Sequence, residues 1–301
     1  MTYNRREIGI GGSIWATGIM LTLSSLLILS QLTQQIQKMK YKKAQLRLCF
    51  MILAPVLIGW PSWVVLILGP DAGILEYVGD LFKGVILFIF VDYSIILIGW
   101  EKNEADSEFS QARAEGCFIR LENVKQICEC MGSTKIKNQE DVSWFLNKVR
   151  IAALQTCIVF FCLLVVSVIL KLISGDYLKY GDMDPTYGYF WINMFKILSA
   201  TVALYQLFTY LKNISQIPEM KLLQIRSKSY MILLTLALTL YQSAIIGGLS
   251  RWSSISDEAN YSRENITSYT SNLLICVEMI VLALVQGTIF TAEDYSLDLH
   301  K

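Results

Sequence analysis

Asn272-Leu273-Leu274-Ile275-Cys276-Val277-Glu278-Met279 places one carboxylate inside an apolar run that continues to Phe290. A charge at the centre of a bilayer costs about 2.5–3.5 kcal/mol on insertion scales. A chain that keeps Glu278 there must give it a partner, a proton or a task. The other apolar runs are read as the cage around it.

The whole chain fits that reading. Of its 301 residues, 54% are hydrophobic and 17% charged, with mean hydropathy +0.46. Soluble domains run nearer about 45–50% apolar and about 25% charged. The apolar surplus is gathered in long runs, which defines an integral, multi-pass membrane protein. A net charge of +1 with no long basic block argues against a nucleic-acid partner. The one histidine, His300, stands at the C-terminal end, which removes His-based triads and most His-ligated metal sites. No cofactor motif occurs: Gly9-Ile10-Gly11-Gly12 precedes an apolar run and joins no strand to a helix. The seven cysteines form no disulfide framework. The first apolar run is too long for a cleavable signal peptide and leads into a basic segment.

Runs of about 20 apolar residues mark spanning helices. Seven are expected, over about 8–32, 47–68, 76–99, 151–173, 188–211, 229–249 and 270–291. The fold expected is an all-α seven-helix bundle forming one membrane domain. Lysine and arginine counts orient it. The first connection holds Lys38, Lys40, Lys42, Lys43 and Arg47, and the fifth holds Lys212, Lys221, Arg226 and Lys228. The second holds no base, and the fourth is acidic (Asp176, Asp182, Asp184). The N-terminus is therefore expected outside and the C-terminus in the cytosol, with Arg5 and Arg6 as weak counter-evidence. Two sequons, at Asn260 and Asn265, fall in a connection expected outside and are glycosylation candidates. The 101–150 segment is expected to be a charged cytosolic loop, helical in pieces. Its Cys117, Cys128 and Cys130 are either ordinary reduced thiols or palmitoylation sites that pin the loop to the inner leaflet.

Four charges stand out within the runs: Lys83, Asp92, Lys196 and Glu278. Lys83, Lys196 and Glu278 each lie about 10–12 Å below the outer boundary, at 1.5 Å per residue. Three charges at one depth on three helices suggest one polar layer. Counted this way it holds two cations against one carboxylate and suits an anion. The plainer reading is that Glu278 neutralises a lysine as packing glue. Asp92, nine residues after Lys83, faces the opposite way and serves a deeper site or a separate helix contact. Gln242, Gln155 and Asn193 are further candidates to line a solute path, followed by Gln206 and Gln286. Pro55 and Pro61 are expected to bend the second helix.

With these residues named, the chain resembles the organic solute transporter alpha-subunit family, including its transmembrane-protein-184 branch. The resemblance rests on Asn272 to Met279 with Phe290 and Tyr295, on Pro218, Lys221 and Arg226, and on Tyr241-Gln242. It rests also on Leu154-Gln155, Leu204-Tyr205-Gln206-Leu207, Pro55 and Gly99-Trp100-Glu101. The chain departs from the family pattern at Phe82-Lys83, at Gln286, and in a cysteine cluster reduced to Cys128 and Cys130. The resemblance implies facilitated diffusion of an amphipathic organic anion, steroid-like or lipid-like; the cationic excess of the charge layer is compatible with it, and Lys83 and Lys196 would hold the anion. Glu278 would then set the charge and orientation of the lysines, and Gln242 and Gln155 would line the path inward. It also leaves room for a single-span partner subunit, and a homo-oligomer stays open. The alternative function is a seven-helix receptor-like or regulatory scaffold. An enzyme is not expected, and Cys276 reads as a small packing residue rather than a nucleophile. Residence in the plasma membrane or an endomembrane stays open.

Overall fold

Lipid offers no partner for backbone N–H and C=O groups, so an apolar run must satisfy them within itself, as a helix does. The computed structural model describes residues 2–38, 42–69, 72–97, 139–173, 178, 184–214, 225–252 and 263–290. Among them it shows eight helices and no strand. These are α1 Thr2–Lys38, α2 Lys42–Ile52, α3 Ala54–Leu68, α4 Ile74–Leu97, α5 Gln139–Ile173, α6 Gly188–Ile214, α7 Ile225–Trp252 and α8 Arg263–Ile289. The expected second helix is two, α2 and α3, that together make one rod over 45–68.

Among the described residues six rods are long and apolar enough to cross a membrane: α1, the α2–α3 pair, α5, α6, α7 and α8. The protein is an all-α, multi-pass membrane bundle. Helix α4 has 24 residues, enough to span, but carries Glu76, Asp80, Lys83 and Asp92. It sits between α2, α3, α5 and α7, while α8 packs on α1, α3 and α7. The contact of α1 with α8 closes the ring.

The break between α2 and α3 has a local cause. Proline has no N–H, so the carbonyl four residues before it loses its helical donor. Pro55 thereby frees the Met51 carbonyl, and α3 begins one residue earlier, at Ala54. Pro61 lies inside α3 without ending it.

Two bounds differ from expectation. Helix α5 starts at Gln139, so the last part of the expected 101–150 loop is helical. The reason is an amphipathic face: Leu146, Val149 and Ala153 are buried at spacings of three and four. Helix α7 starts at Ile225, which draws Lys228 out of the expected loop; its ammonium is buried 5.4 Å from the Phe290 ring centre.

Helices α4 and α6 are tied by side chains. Lys196 donates to Asp80, and Tyr210 donates to Ser94 at 3.1 Å. Each pair is separated by 116 residues. Equal separations at two points mean that the helices run parallel and in register. The two ties lie about 21 Å apart at 1.5 Å per residue.

Candidate functional site

Asp80 is the centre of the polar layer that holds both lysines. Its Oδ1 accepts from Lys83 Nζ at 2.7 Å and its Oδ2 from Lys196 Nζ at 2.7 Å. All three side chains are buried. Charge-assisted bonds of this length are the strong kind. Lys83 is one turn along α4 from Asp80, whereas Lys196 reaches over from α6.

Helix α8 adds the second half. Glu76 Oε1 accepts from Asn272 Nδ2 at 2.7 Å and from Ser268 Oγ at 2.9 Å. Asn272 also donates to the Ser268 carbonyl at 2.9 Å. Ser243 of α7 shares a 2.9 Å bond with Ser271 of α8. With its amide turned to face the carboxylate, Gln242 donates Nε2 to Glu278 Oε1 at 2.7 Å and to Oε2 at 3.3 Å. Four helices thus meet in one layer of ionic and hydrogen-bonding groups.

This geometry corrects the charge count drawn from the sequence. Lys83 and Lys196 do converge, but on Asp80 and not on Glu278. Glu278 feels Lys83 through space and is bonded by Gln242. Among the described residues the layer holds Glu76, Asp80 and Glu278 against Lys83 and Lys196, three carboxylates to two ammonium groups and a formal charge of −1. The expected cationic excess is absent. Two residues escape the sequence reading, Asp80 and Glu76. The spacing Asp80-x-x-Lys83, which puts both on one helix face, is the signal that points to the first.

The other candidates are dispersed. Asp92 pairs with Arg47 Nε of α2 at 2.5 Å and Arg150 of α5 at 2.7 Å. It lies twelve residues from Asp80 along α4 and pins three helices together at the opposite end. Asn193 is buried and donates to the Tyr189 carbonyl of its own helix at 3.0 Å. Gln155 is exposed on the outward face of α5 beside Ile151, Leu154 and Ile158, so it does not join the layer. Gln286 is fully buried and donates to the Met51 carbonyl at 3.0 Å. It therefore satisfies the acceptor that Pro55 leaves open. Cys276 is buried, with Sγ 3.8 Å from the Gly59 carbonyl. Cys117, Cys128, Cys130 and Asn260 lie outside the described residues. Asn265 falls in the first turns of α8, upstream of the buried Thr267 of its sequon.

Six apolar rods and a mixed-charge layer gathered from four helices define a multi-pass helical membrane protein with a polar interior. Over residues 13–295 the chain matches the family model described as organic solute transporter Ostalpha, and it belongs to that family. It is also similar to the transmembrane protein 184 homolog of Dictyostelium discoideum, with 27% identity over 130 residues. That stretch is 42% of this chain and 24% of the relative, so the chain spans about a quarter of the length of the curated relative it matches. No solved structure matches the chain.

Proposed function

We propose that this chain is a seven-span transporter that moves amphipathic organic solutes, steroid-like or lipid-like, by facilitated diffusion. Membership of the organic solute transporter Ostalpha family supports the class. The observation that carries the reading is the layer of buried Asp80, Lys83 and Lys196 with half-buried Glu76 and Glu278, which gives an otherwise apolar bundle a place for a solute's polar end. Such groups inside a membrane are costly to keep and mark solute and ion pathways. In this reading α4 is the seventh span, its charges all turned to partners. The N-terminus is outside and the C-terminus cytosolic, with Cys117, Cys128 and Cys130 offered to palmitoylation and Asn260 and Asn265 to glycosylation. Of the solute-path candidates Lys83, Lys196, Asp92, Asn193, Gln242, Gln155 and Glu278, the geometry favours Lys83, Lys196, Gln242 and Glu278. A preference for anions needs two lysines facing one carboxylate; with Asp80 holding both, that argument lapses.

The test is flux of a labelled steroid into proteoliposomes holding only the purified chain. Saturable flux above empty vesicles is expected, reduced in Lys196→Ala at equal protein content. Solute binding without flux would overturn the transporter reading for the chain alone. Adding a co-purifying single-span protein then separates a missing partner subunit from a receptor-like scaffold.

A further inference from the structure

Helix α5 is the least enclosed of the six rods. Residues three and four apart share a helix face. On one such face of α5, Trp144, Lys148, Ile151, Gln155 and Ile158 follow one another, all exposed. The first two are aromatic and basic, and Lys148 Nζ lies 5.2 Å from the Trp144 ring centre. Arg150 stands beside them with its side chain 48% exposed. It shares the Asp92 carboxylate with Arg47, so one carboxylate serves two guanidinium groups.

Depth gives the strip its meaning. From Arg150 to Lys171 the helix rises about 30 Å, the thickness of a hydrocarbon core. The bases near Arg150 therefore stand at one boundary of the core. Gln155 is five residues further on, about 7–8 Å inside it. Long side chains on a helix lean towards its N-terminus, which on α5 is the headgroup side. Lys148 and Arg150 thus reach into the headgroup layer, and the Gln155 amide into the level beneath. Among the described residues that amide makes no hydrogen bond. A carboxamide bare in hydrocarbon is costly. A phospholipid places its ester carbonyls at this level, below the phosphate and above the chains, and those carbonyls accept from an amide N–H. Deeper still the strip is apolar, with Ile158, Phe161 and Val165 exposed.

We propose that this face of α5 is a site for an anionic phospholipid. Its phosphate lies on Lys148 and Arg150, an ester carbonyl accepts from Gln155 Nε2, and an acyl chain runs along Ile158 and Phe161. The two bases favour a net negative headgroup over a zwitterionic one, whose ammonium would meet them. Gln155 favours a diacyl lipid over free phosphate, which engages the bases alone. A second copy of this chain is a poorer cover. Packed on the same strip about a two-fold axis along the membrane normal, it would set Lys148 against Lys148 at one depth. The inference stands apart from the transport reading, since the strip lies on the outside of the bundle.

The experiment is native mass spectrometry of the full chain in detergent, titrated with phosphatidylglycerol, phosphatidylcholine, the diether form of phosphatidylglycerol, or inorganic phosphate. Phosphatidylglycerol is expected to bind more tightly than phosphatidylcholine, by about fivefold for each base. Lys148→Gln should reduce that preference by about fivefold. Gln155→Leu should weaken the diester and leave the diether, which has no ester carbonyl, unchanged. Neither side chain ties α5 to another helix among the described residues, so both variants should keep the wild-type melting temperature. Equal binding of the two diester lipids, or a preference unchanged in Lys148→Gln, overturns the proposal. So does an equal loss of diester and diether in Gln155→Leu. Displacement of phosphatidylglycerol by inorganic phosphate would reduce the site to an ion site. A dimer of the chain that Gln155→Leu dissolves would show the strip to be covered by a second copy, and would overturn the lipid site.

Discussion

Gln286 of α8 donates its side-chain amide to the carbonyl of Met51, the acceptor that Pro55 deprives of its helical donor. A defect in one helix is thus repaired from another. Leaving a buried carbonyl unsatisfied costs about 1–3 kcal/mol. Gln286→Leu should lower the melting temperature in detergent by that amount of stability. Pro55→Ala returns the missing N–H, so the double variant should recover most of the loss. A double variant as unstable as Gln286→Leu would show that the bond does not serve this purpose.

Asp80→Asn should be the most damaging single change in the mixed-charge layer. It leaves Lys83 and Lys196 buried without their carboxylate, and breaking a buried ion pair costs about 3–5 kcal/mol. Folded yield should fall sharply. Lys196→Met is expected to be milder, because Asp80 keeps Lys83. Comparable yields for wild type and Asp80→Asn would refute the role of Asp80 as the shared anchor.

At the opposite end, Arg47→Ala and Arg150→Ala should differ. Both arginines hold Asp92, but the Arg150 side chain is 48% exposed against 23% for Arg47. Exposed pairs contribute about 0–1 kcal/mol. Arg47→Ala should therefore lower thermal stability more than Arg150→Ala. Equal losses would mean that Asp92 draws on the two partners alike.

Gly84 lets α4 and α5 approach closely. A Cβ built there would stand 3.2 Å from the Cys157 Cα, a backbone atom with little room to yield. Gly84→Val should cost about 1–3 kcal/mol through overpacking. A more stable Gly84→Val protein would show that this seam has slack.

Most of the bundle is legible in the sequence because a span needs about 20 apolar residues, and little else in a chain produces such runs. The break in the second rod is legible too, since Pro55 acts on its own helix. The charge layer is less so. Asp80 lies near the N-terminal end of α4, where a carboxylate reads as an interfacial group, and its partner Lys196 is 116 residues away. Pairing across helices leaves no local pattern. Gln155 shows the opposite error: a glutamine in an apolar run suggests an inward face, yet it lies outward among Ile151, Leu154 and Ile158. Helical phase, not residue chemistry, decides that. Likewise the start of α5 at Gln139 is hidden by charged residues, although Leu146 and Val149 keep the period.

The equal spacing of the Lys196–Asp80 and Tyr210–Ser94 ties has a mechanical consequence. A rod pinned at one point can pivot and slide; pinned at two points four turns apart, it does neither without breaking a bond. Helices α4 and α6 therefore behave as one lever, with α5 wedged against both. Helix α7 joins this pair at α6, where the Thr201 and Tyr241 hydroxyls share a 2.6 Å bond, so α7 is held to the lever by a side-chain contact of its own.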